Sequence, residues 1–344
     1  AQATGSFSMG QAPICAVHCC SDEGLAGRTE QILPPSANGV EPVLVAPSLT
    51  AVPVLADSKL DDYKSESSGE PEPSEDGDFA ADFETYFARE ADEFPAFQQG
   101  SSGSNGLMPE CGQPFTFQSG AVYTGEWRDN VRHGFGKQAW PDGASYEGEW
   151  KDNQASGRGV FQHNSAGSYT GEWFANLAHG HGVFHGIAPA MSYEGEWRND
   201  QLHGHGVWTE EGTSYEGQFV ANQKHGHGKY IYPDMSEYLG SWEKNLQCGL
   251  GECFFSDGRY YMGLWYAGTM HGQGAYQWAS GEEYAGEFQN DLKHGFGTFK
   301  WPDGRRYEGW WIEGKQHGHS RICRQDGTYK ETIWHDGTCD HIDG

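Results

Sequence analysis

The sequence predicts an all-β protein: an elongated, single-layer antiparallel sheet of tandem β-hairpins, preceded by a disordered acidic arm. Three observations support this fold class. A motif Tyr-x-Gly-x-Trp returns every 22 to 24 residues from Tyr123 onward. All 13 tryptophans and 38 of the 50 glycines lie beyond residue 122. Apolar residues make up only 36% of the 344-residue chain, too few for one thick hydrophobic core.

The arm is predicted to span residues 1–114. Up to residue 122 the chain carries 19 acidic and 4 basic residues, and segments such as 65–78 (SESSGEPEPSEDGD) contain too little apolar surface to offset the entropy lost on folding. The formal net charge of the whole chain is −27, which repels polyanions. We therefore expect no nucleic-acid partner.

Residues 9–20 (MGQAPICAVHCC) contain a candidate lipidation motif. With Met9 as initiator, Gly10 becomes an acceptor for an N-terminal acyl chain, and nearby thiols supply the second lipid that stable anchoring needs. Ile14 departs from the usual pattern, which has Ser or Thr there. Two interpretations stay open: membrane anchoring by acylation, or an inert flexible terminus. The candidate acceptors are Gly10, Cys15, Cys19 and Cys20.

Residues 78–94 are predicted to form a short amphipathic helix with Asp78 as its N-cap, and Pro95 ends the pattern. A helix this short is marginal in water, so its aromatic stripe needs a groove in which to bind. It could fill the groove of its own chain until a partner displaces it. The alternative is an aromatic scatter within a disordered arm. The aromatic residues of the candidate docking helix are Phe79, Phe83, Tyr86 and Phe87.

The periodic region is built from units of two strands and two turns. In the unit 123–145 (YTGEWRDNVRHGFGKQAWPDGAS) the first tyrosine, glycine and tryptophan alternate, so they share one face of an extended strand. Turn-forming and solubilising residues occupy 129–133, Gly134-x-Gly136 opens the returning strand, and residues 141–143 turn the chain into the next unit. Such a unit is too short to contain a helix as well.

A single-layer sheet has no second layer on which to pack, so the aromatic residues of successive units must bury one another. We expect this ladder to form a groove that binds a helix or peptide of a partner protein. The predicted groove residues are Tyr123, Trp127, Tyr146, Trp150, Tyr169, Trp173, Tyr193, Trp197, Tyr215, Phe219, Tyr238, Trp242, Tyr261, Trp265, Tyr284, Phe288, Tyr307 and Trp311.

The unit resembles the MORN repeat (membrane occupation and recognition nexus), whose core is YxGxWxxGxxHGxG. Nine units cover residues 123–328, and a degenerate tenth opens at Tyr329, with Glu331 and Ile333 at its glycine and tryptophan positions. We therefore place the sheet at 115–334 and a tail at 335–344. The resemblance implies a eukaryotic scaffold or adaptor at a membrane or cytoskeletal structure. It also implies homodimerisation through the C-terminal edge strand.

No catalytic residue, metal site or cofactor is predicted. Cys323, His335, Cys339 and His341 lack the C-x₂-C spacing of zinc sites, and the Gly-x-Gly pairs are not followed by a helix. Seven histidines recur at one position before a glycine, where we expect their rings to bond turn carbonyls. They are His133, His179, His203, His225, His271, His294 and His317.

The sequence is compatible with two functions. The first is a non-enzymatic scaffold that binds a protein partner, in the cytoplasm or at the cytoplasmic face of a membrane or on the cytoskeleton. The alternative is a membrane tether whose repeats bind phospholipid directly. The region from residue 123 onward has 30 acidic and 18 scattered basic residues, which disfavours anionic headgroups. The scaffold is therefore the preferred function.

Overall fold

The computed structural model of the protein describes residues 86–90, 111–163, 165, 167–187 and 191–340. These residues form 21 strands and, at 86–88, one helical turn. The strands are β1 (Phe115–Thr116), β2 (Val122–Arg128), β3 (Val131–Ala139), β4 (Ser145–Lys151), β5 (Gln154–His163), β6 (Gly167–Phe174), β7 (Leu177–His185), β8 (Ser192–Arg198), β9 (Gln201–Glu210), β10 (Thr213–Val220), β11 (Gln223–Ile231), β12 (Glu237–Glu243), β13 (Leu246–Phe254), β14 (Tyr260–Tyr266), β15 (Thr269–Gln277), β16 (Glu283–Gln289), β17 (Leu292–Lys300), β18 (Arg306–Ile312), β19 (Lys315–Cys323), β20 (Tyr329–His335) and β21 (Thr338–Asp340).

The strands follow one another in the sheet in the order of the sequence. Each pairs antiparallel with the strand before it and the strand after it, from β1 to β21. The predicted fold class, one open antiparallel sheet of tandem hairpins, is confirmed. Of the predicted arm, the structure describes residues 86–90 and 111–114.

Two-residue turns close the hairpin within each unit. Between β2 and β3, Asp129 and Asn130 have φ values of 50° and 63°, and Asp152 and Asn153 take 51° and 69° in the next unit. Positive φ at both central residues defines the turns whose twist matches that of antiparallel strands. Asp and Asn tolerate this left-handed region better than most residues, which explains the D-N pairs of the sequence.

The turns also bind the units to one another. The Asn153 side-chain Oδ1 accepts a hydrogen bond from the backbone N–H of Arg132 (2.7 Å), and the backbone N–H of Asn153 donates to the Arg132 carbonyl (3.0 Å). Asn176 makes the same two bonds to Ala155, at 2.8 and 3.0 Å. Two hydrogen bonds therefore link each of these turns to the preceding unit.

An aromatic ladder forms the core of the sheet. The Tyr146 ring lies 5.0 Å from Trp150 of its own unit and 5.2 Å from Trp173 of the next, edge to face in both cases. Its hydroxyl donates to the Glu149 carbonyl (2.9 Å), and the indole N–H of Trp150 donates to the Gly136 carbonyl (3.1 Å). The buried polar atoms of this unit thus have backbone partners, whereas the indole N–H groups of Trp127 and Trp311 have none among the described residues.

Paired glycines leave room for each tyrosine ring. Gly125 and Gly136 lie opposite each other in β2 and β3. A Cβ added at Gly125 would lie 2.5 Å from Gly136 Cα and 2.5 Å from the Tyr123 hydroxyl. This contact explains the glycine at the centre of every Tyr-x-Gly-x-Trp motif.

The C-terminal end differs from the prediction in two respects. Trp334, not Ile333, takes the tryptophan position of the tenth unit, because Trp334 pairs with Gly318 as Trp311 pairs with Gly295. The tenth unit predicted from Tyr329 is one residue out of register, whereas a constant spacing of 23 residues from Trp311 predicts Trp334. In addition, β21 pairs with β20 and carries the sheet past residue 334, into the predicted tail.

Candidate functional site

The aromatic face is the side of the sheet on which the tyrosine and tryptophan of each unit lie. The nine ladder tyrosines are at most 1% exposed, so they form the floor of this face. Among the predicted groove residues, Trp127 and Trp265 are half-buried. The other aromatic residues at the tryptophan position are 2 to 4% exposed.

Residues at or just beyond the ends of the returning strands line the same face and were not among the predicted groove residues. In the first unit these are Gln138 and Trp140, and in the second unit Phe161 and His163. Their signal in the sequence is a second alternating pair near the end of each unit. It is weaker than the Tyr-x-Gly-x-Trp signal because its residue types change from unit to unit.

Residues 86–90 (YFARE), called here the docking segment, lie on the aromatic face over the first three units. Phe87 is 2% exposed, and five aromatic rings surround it. These rings form what we call the first pocket. They belong to Trp140, Tyr146, Trp150, Phe161 and Trp173, with centroids 5.3 to 6.4 Å from that of Phe87.

Glu90 is fully buried beside the first pocket and is held by three donors. Its carboxylate accepts hydrogen bonds from Gln138 Nε2 (2.8 Å), Trp140 Nε1 (3.2 Å) and Ser119 Oγ (3.1 Å). A buried carboxylate needs such partners to offset the loss of water. Glu90 therefore fixes the docking segment in one position.

Arg132 supplies positive charge beneath Glu90. Its guanidinium lies over the Trp150 ring at 4.2 Å and donates to Gln138 Oε1, so Gln138 links it to Glu90. Burial lowers the pKa of Arg132 to about 10, while the Glu90 charge acts in the opposite direction. The carboxylate and the guanidinium thus compensate each other within a buried region.

Tyr86 and Arg89 attach the edges of the docking segment. The Tyr86 hydroxyl lies 3.1 Å from His163 Nε2, and its ring packs 5.3 Å from Trp140. Arg89 donates to Asp142 Oδ2 at 2.7 Å. Of the candidate docking residues, Tyr86 and Phe87 therefore contact the aromatic face, whereas Phe79 and Phe83 lie outside the described residues, as do Gly10, Cys15, Cys19 and Cys20.

The recurring histidines serve the hairpins differently from the expectation. Four of their backbone carbonyls lie within 3.3 to 3.5 Å of a ladder tyrosine hydroxyl, as for His225 and Tyr215 at 3.3 Å. No described histidine ring donates to a turn carbonyl, and Nδ1 of His179 and His271 has no hydrogen-bond partner among these residues. At this repeat position the histidine backbone carbonyl, rather than the imidazole ring, contacts the ladder tyrosines.

Neither metal-binding clusters nor spanning helices occur in the described part of the chain. No group of three or more His, Cys, Asp or Glu side chains there could hold a metal ion. Cys323 is buried and Cys339 half-buried, and His341 lies outside this part. The one helical turn at 86–88 is far too short to cross a bilayer.

Comparisons with solved structures find partial similarity at low sequence identity. The TCP10 domain of Danio rerio CPAP is 13% identical, with 64% of this chain and 100% of that domain covered and a TM-score of 0.26. The TCP domain of Drosophila melanogaster SAS-4, solved with a proline-rich motif of Ana2, is 9% identical, with coverages of 65% and 94% and a TM-score of 0.22. No curated protein matches the sequence significantly.

The model of the MORN repeat matches nine times in tandem. The matches span 123–145, 146–165, 169–186, 193–209, 215–234, 238–258, 261–283, 284–305 and 307–329. They coincide with the nine units and together cover more than half of the chain. The chain therefore belongs to the MORN repeat family.

Proposed function

We propose that the protein is a non-enzymatic scaffold whose aromatic face binds a helix or peptide of a partner protein. One observation carries this proposal: the first pocket holds a helical turn through a buried aromatic ring and a buried, hydrogen-bonded carboxylate. The same contacts suit a segment of another chain, since nothing in them requires a covalent link to the sheet. Sequence-dependent recognition arises from the Phe87 and Glu90 positions.

The docking segment then acts as an internal competitor. Burial of Phe87 contributes about 2 kcal/mol, and attachment to the same chain adds a high effective concentration. A partner must displace the segment before it reaches the first pocket. Release of the segment therefore increases the affinity of the scaffold for its partner.

A synthetic peptide of residues 78–94 tests this proposal on the full-length chain. In the variant Phe87→Ala/Glu90→Gln the tethered segment no longer fills the first pocket, so the peptide binds there. Hydrogen exchange then slows in β3 to β6 of this variant and not of the wild type. Phe135→Ala, which removes a ring that is 55% exposed, is the matched control and keeps the pocket filled. Unchanged exchange in β3 to β6 of the double variant would contradict the proposal.

The cellular setting is part of the same proposal. We infer that the protein acts at a cytoplasmic membrane face or on the cytoskeleton. Acylation of Gly10 or of Cys15, Cys19 and Cys20 supplies the anchor. The edge strand β21 pairs with a second copy of the chain. Mass spectrometry that finds Gly10, Cys15, Cys19 and Cys20 of the native protein unmodified would exclude the anchor. A monomeric mass at every concentration in light scattering would exclude the dimer.

A further inference from the structure

We propose that the aromatic face over the eighth and ninth units carries a second pocket. It binds a helical segment of another protein that presents an aromatic side chain and, three residues later, a carboxylate. This inference rests on the proposed function and names the chemistry of the partner. It comes from comparing the filled first pocket with its equivalent seven units further along the chain.

The buried cation of the first pocket has a counterpart. Lys293 occupies the repeat position of Arg132. Its Nζ lies 4.4 Å from the Trp311 ring and 5.4 Å from Trp278. The Arg132 guanidinium lies 4.2 Å from Trp150 and 5.7 Å from Phe117, which are the equivalent rings. The two sites thus place a positive charge over the same pair of aromatic positions.

The wall around Phe87 recurs as well. Four of its five aromatic positions remain aromatic and one becomes isoleucine. The equivalents of Trp140, Tyr146, Trp150, Phe161 and Trp173 are Trp301, Tyr307, Trp311, Ile322 and Trp334. Tyr307, Trp311 and Trp334 are buried in the sheet and form the floor, as Tyr146, Trp150 and Trp173 do in the first pocket.

Burial distinguishes the two pockets. Trp140, which the docking segment covers, is 4% exposed. Its equivalent Trp301 and the neighbouring Trp278 are half-buried, and no described segment lies over them. Half-buried indoles beside the half-buried Lys293 are the surface expected when the covering residue is supplied by another molecule.

The polar groups of the second pocket favour a carboxylate. Trp301 Nε1 corresponds to Trp140 Nε1, which donates a hydrogen bond to Glu90 in the first pocket. Gln138, which lies between the Arg132 guanidinium and the Glu90 carboxylate, is replaced by Phe299. Ser280, the equivalent of Ser119, donates to Glu282. Lys293 and Trp301 therefore remain to receive the ligand. No acidic side chain in the described part of the chain forms an ion pair with Lys293, and burial lowers its pKa to about 8.

The docking segment of the same chain cannot fill both pockets. Seven units correspond to 14 strands, so at about 4.8 Å per strand the two pockets are on the order of 65 Å apart along the sheet. Residues 86–90 are already bound in the first pocket. The second pocket thus requires another chain.

The fifth unit lacks an equivalent pocket. It has a lysine, Lys224, at the repeat position of Arg132 and Lys293, but Tyr232 stands where those units have Trp140 and Trp301. Gln247 donates to the Tyr232 hydroxyl at 2.7 Å.

The test uses the wild-type chain, whose first pocket is filled, and a fluorescent synthetic peptide of residues 78–94 as the probe. Anisotropy gives the affinity, and hydrogen exchange locates the bound peptide. We expect saturable binding with slower exchange in β17 to β20. Lys293→Met keeps the apolar stem, removes the charge and weakens binding at least tenfold. Lys300→Met is the matched control: it removes a charge from the outer side of the same strand, paired with Glu283, and leaves binding unchanged.

Peptide variants separate charge recognition from packing. Replacing the residue equivalent to Glu90 by glutamine weakens binding to the wild type about tenfold and has no further effect on Lys293→Met. Independent, additive losses would overturn the proposed pairing, and so would binding that Lys293→Met does not alter. Self-association of the chain that Lys293→Met abolishes would also overturn it, since the occupant would then be a second copy. The first pocket reports separately through β3 to β6, so either proposal can fail alone.

Discussion

At the scale of single residues, the paired glycines decide whether the tyrosine ladder can form. Gly136 faces the Tyr123 ring, and a Cβ added there would overlap the ring and its hydroxyl. The tyrosine cannot move away, because its hydroxyl donates to the Glu126 carbonyl at 2.9 Å. A methyl group at this point therefore forces the hairpin apart.

We predict that Gly136→Ala destabilises the chain by about 1–3 kcal/mol through overpacking. Thermal unfolding gives the size of the effect, and hydrogen exchange should show the loss of protection in β2 and β3. Gly327→Ala is the control, because Gly327 has φ +85° and no atom within 4 Å of the added Cβ. The control loses about 1 kcal/mol from the left-handed backbone alone and keeps the hairpins protected. Equal protection of β2 and β3 in both variants would refute the prediction.

At the scale of elements, each turn has two tasks: it reverses the chain and it binds the preceding unit. Asn153 shows both, with φ 69° and a 2.7 Å hydrogen bond from the Arg132 backbone. Arg132 lies under the docking segment, so this turn also helps to shape the first pocket. The turns are therefore part of the contacts between units and not simple connections.

We predict that Asn153→Gly, which keeps the positive φ and removes the acceptor, costs about 1 kcal/mol. Asn153→Ala adds the strain of a left-handed alanine and costs about 1 kcal/mol more. Hydrogen exchange of the Arg132 amide measures the local effect. Asn130→Gly is the control, since the Asn130 side chain bonds no earlier unit among the described residues, and it should be nearly neutral. A similar loss in Asn130→Gly would mean that the turn backbone, not the side-chain acceptor, matters.

The amino-acid sequence predicts the elements that depend on a repeated pattern, but not those that depend on single long-range contacts. Tyr-x-Gly-x-Trp gave the strands and the shared face because alternation alone determines both. The link from Glu90 to Gln138 joins residues 48 positions apart and leaves no periodic trace. Trp334 was misplaced because Tyr329 imitates the start of a unit one residue early. Polar residues predict a turn at this point of each unit, but they do not predict the bond that Asn153 Oδ1 accepts from the preceding unit.

At the scale of the whole molecule, the ladder makes stability depend on keeping the tyrosine hydroxyls protonated. Burial raises the pKa of all nine ladder tyrosines above the ordinary value of 10.0. For an acid whose pKa is raised by folding, the stabilisation is complete below the unfolded pKa. It is lost as the pH rises above that value, because the unfolded chain releases its protons first.

We predict cooperative alkaline unfolding that begins above pH 10, with up to about 1.4 kcal/mol lost per pH unit for each ladder tyrosine. Two groups act in the opposite direction: Lys293 between its folded pKa of about 8 and its ordinary value of 10.5, and Arg132 between about 10 and 12.5. They are two groups against nine. Circular dichroism and tyrosinate absorbance should change together. Ionisation of the ladder tyrosines in a sheet that keeps its native spectrum would contradict the prediction.

The order of the strands has a mechanical consequence. Because β1 to β21 lie side by side in chain order, tension applied across the two ends of the sheet peels one hairpin from the next and does not shear many backbone bonds at once. Each unit of 23 residues then releases on the order of 75 Å of chain as it yields. Units held by an occupied pocket yield later than the others. The proposed scaffold is therefore extensible, and its compliance depends on which pockets are occupied.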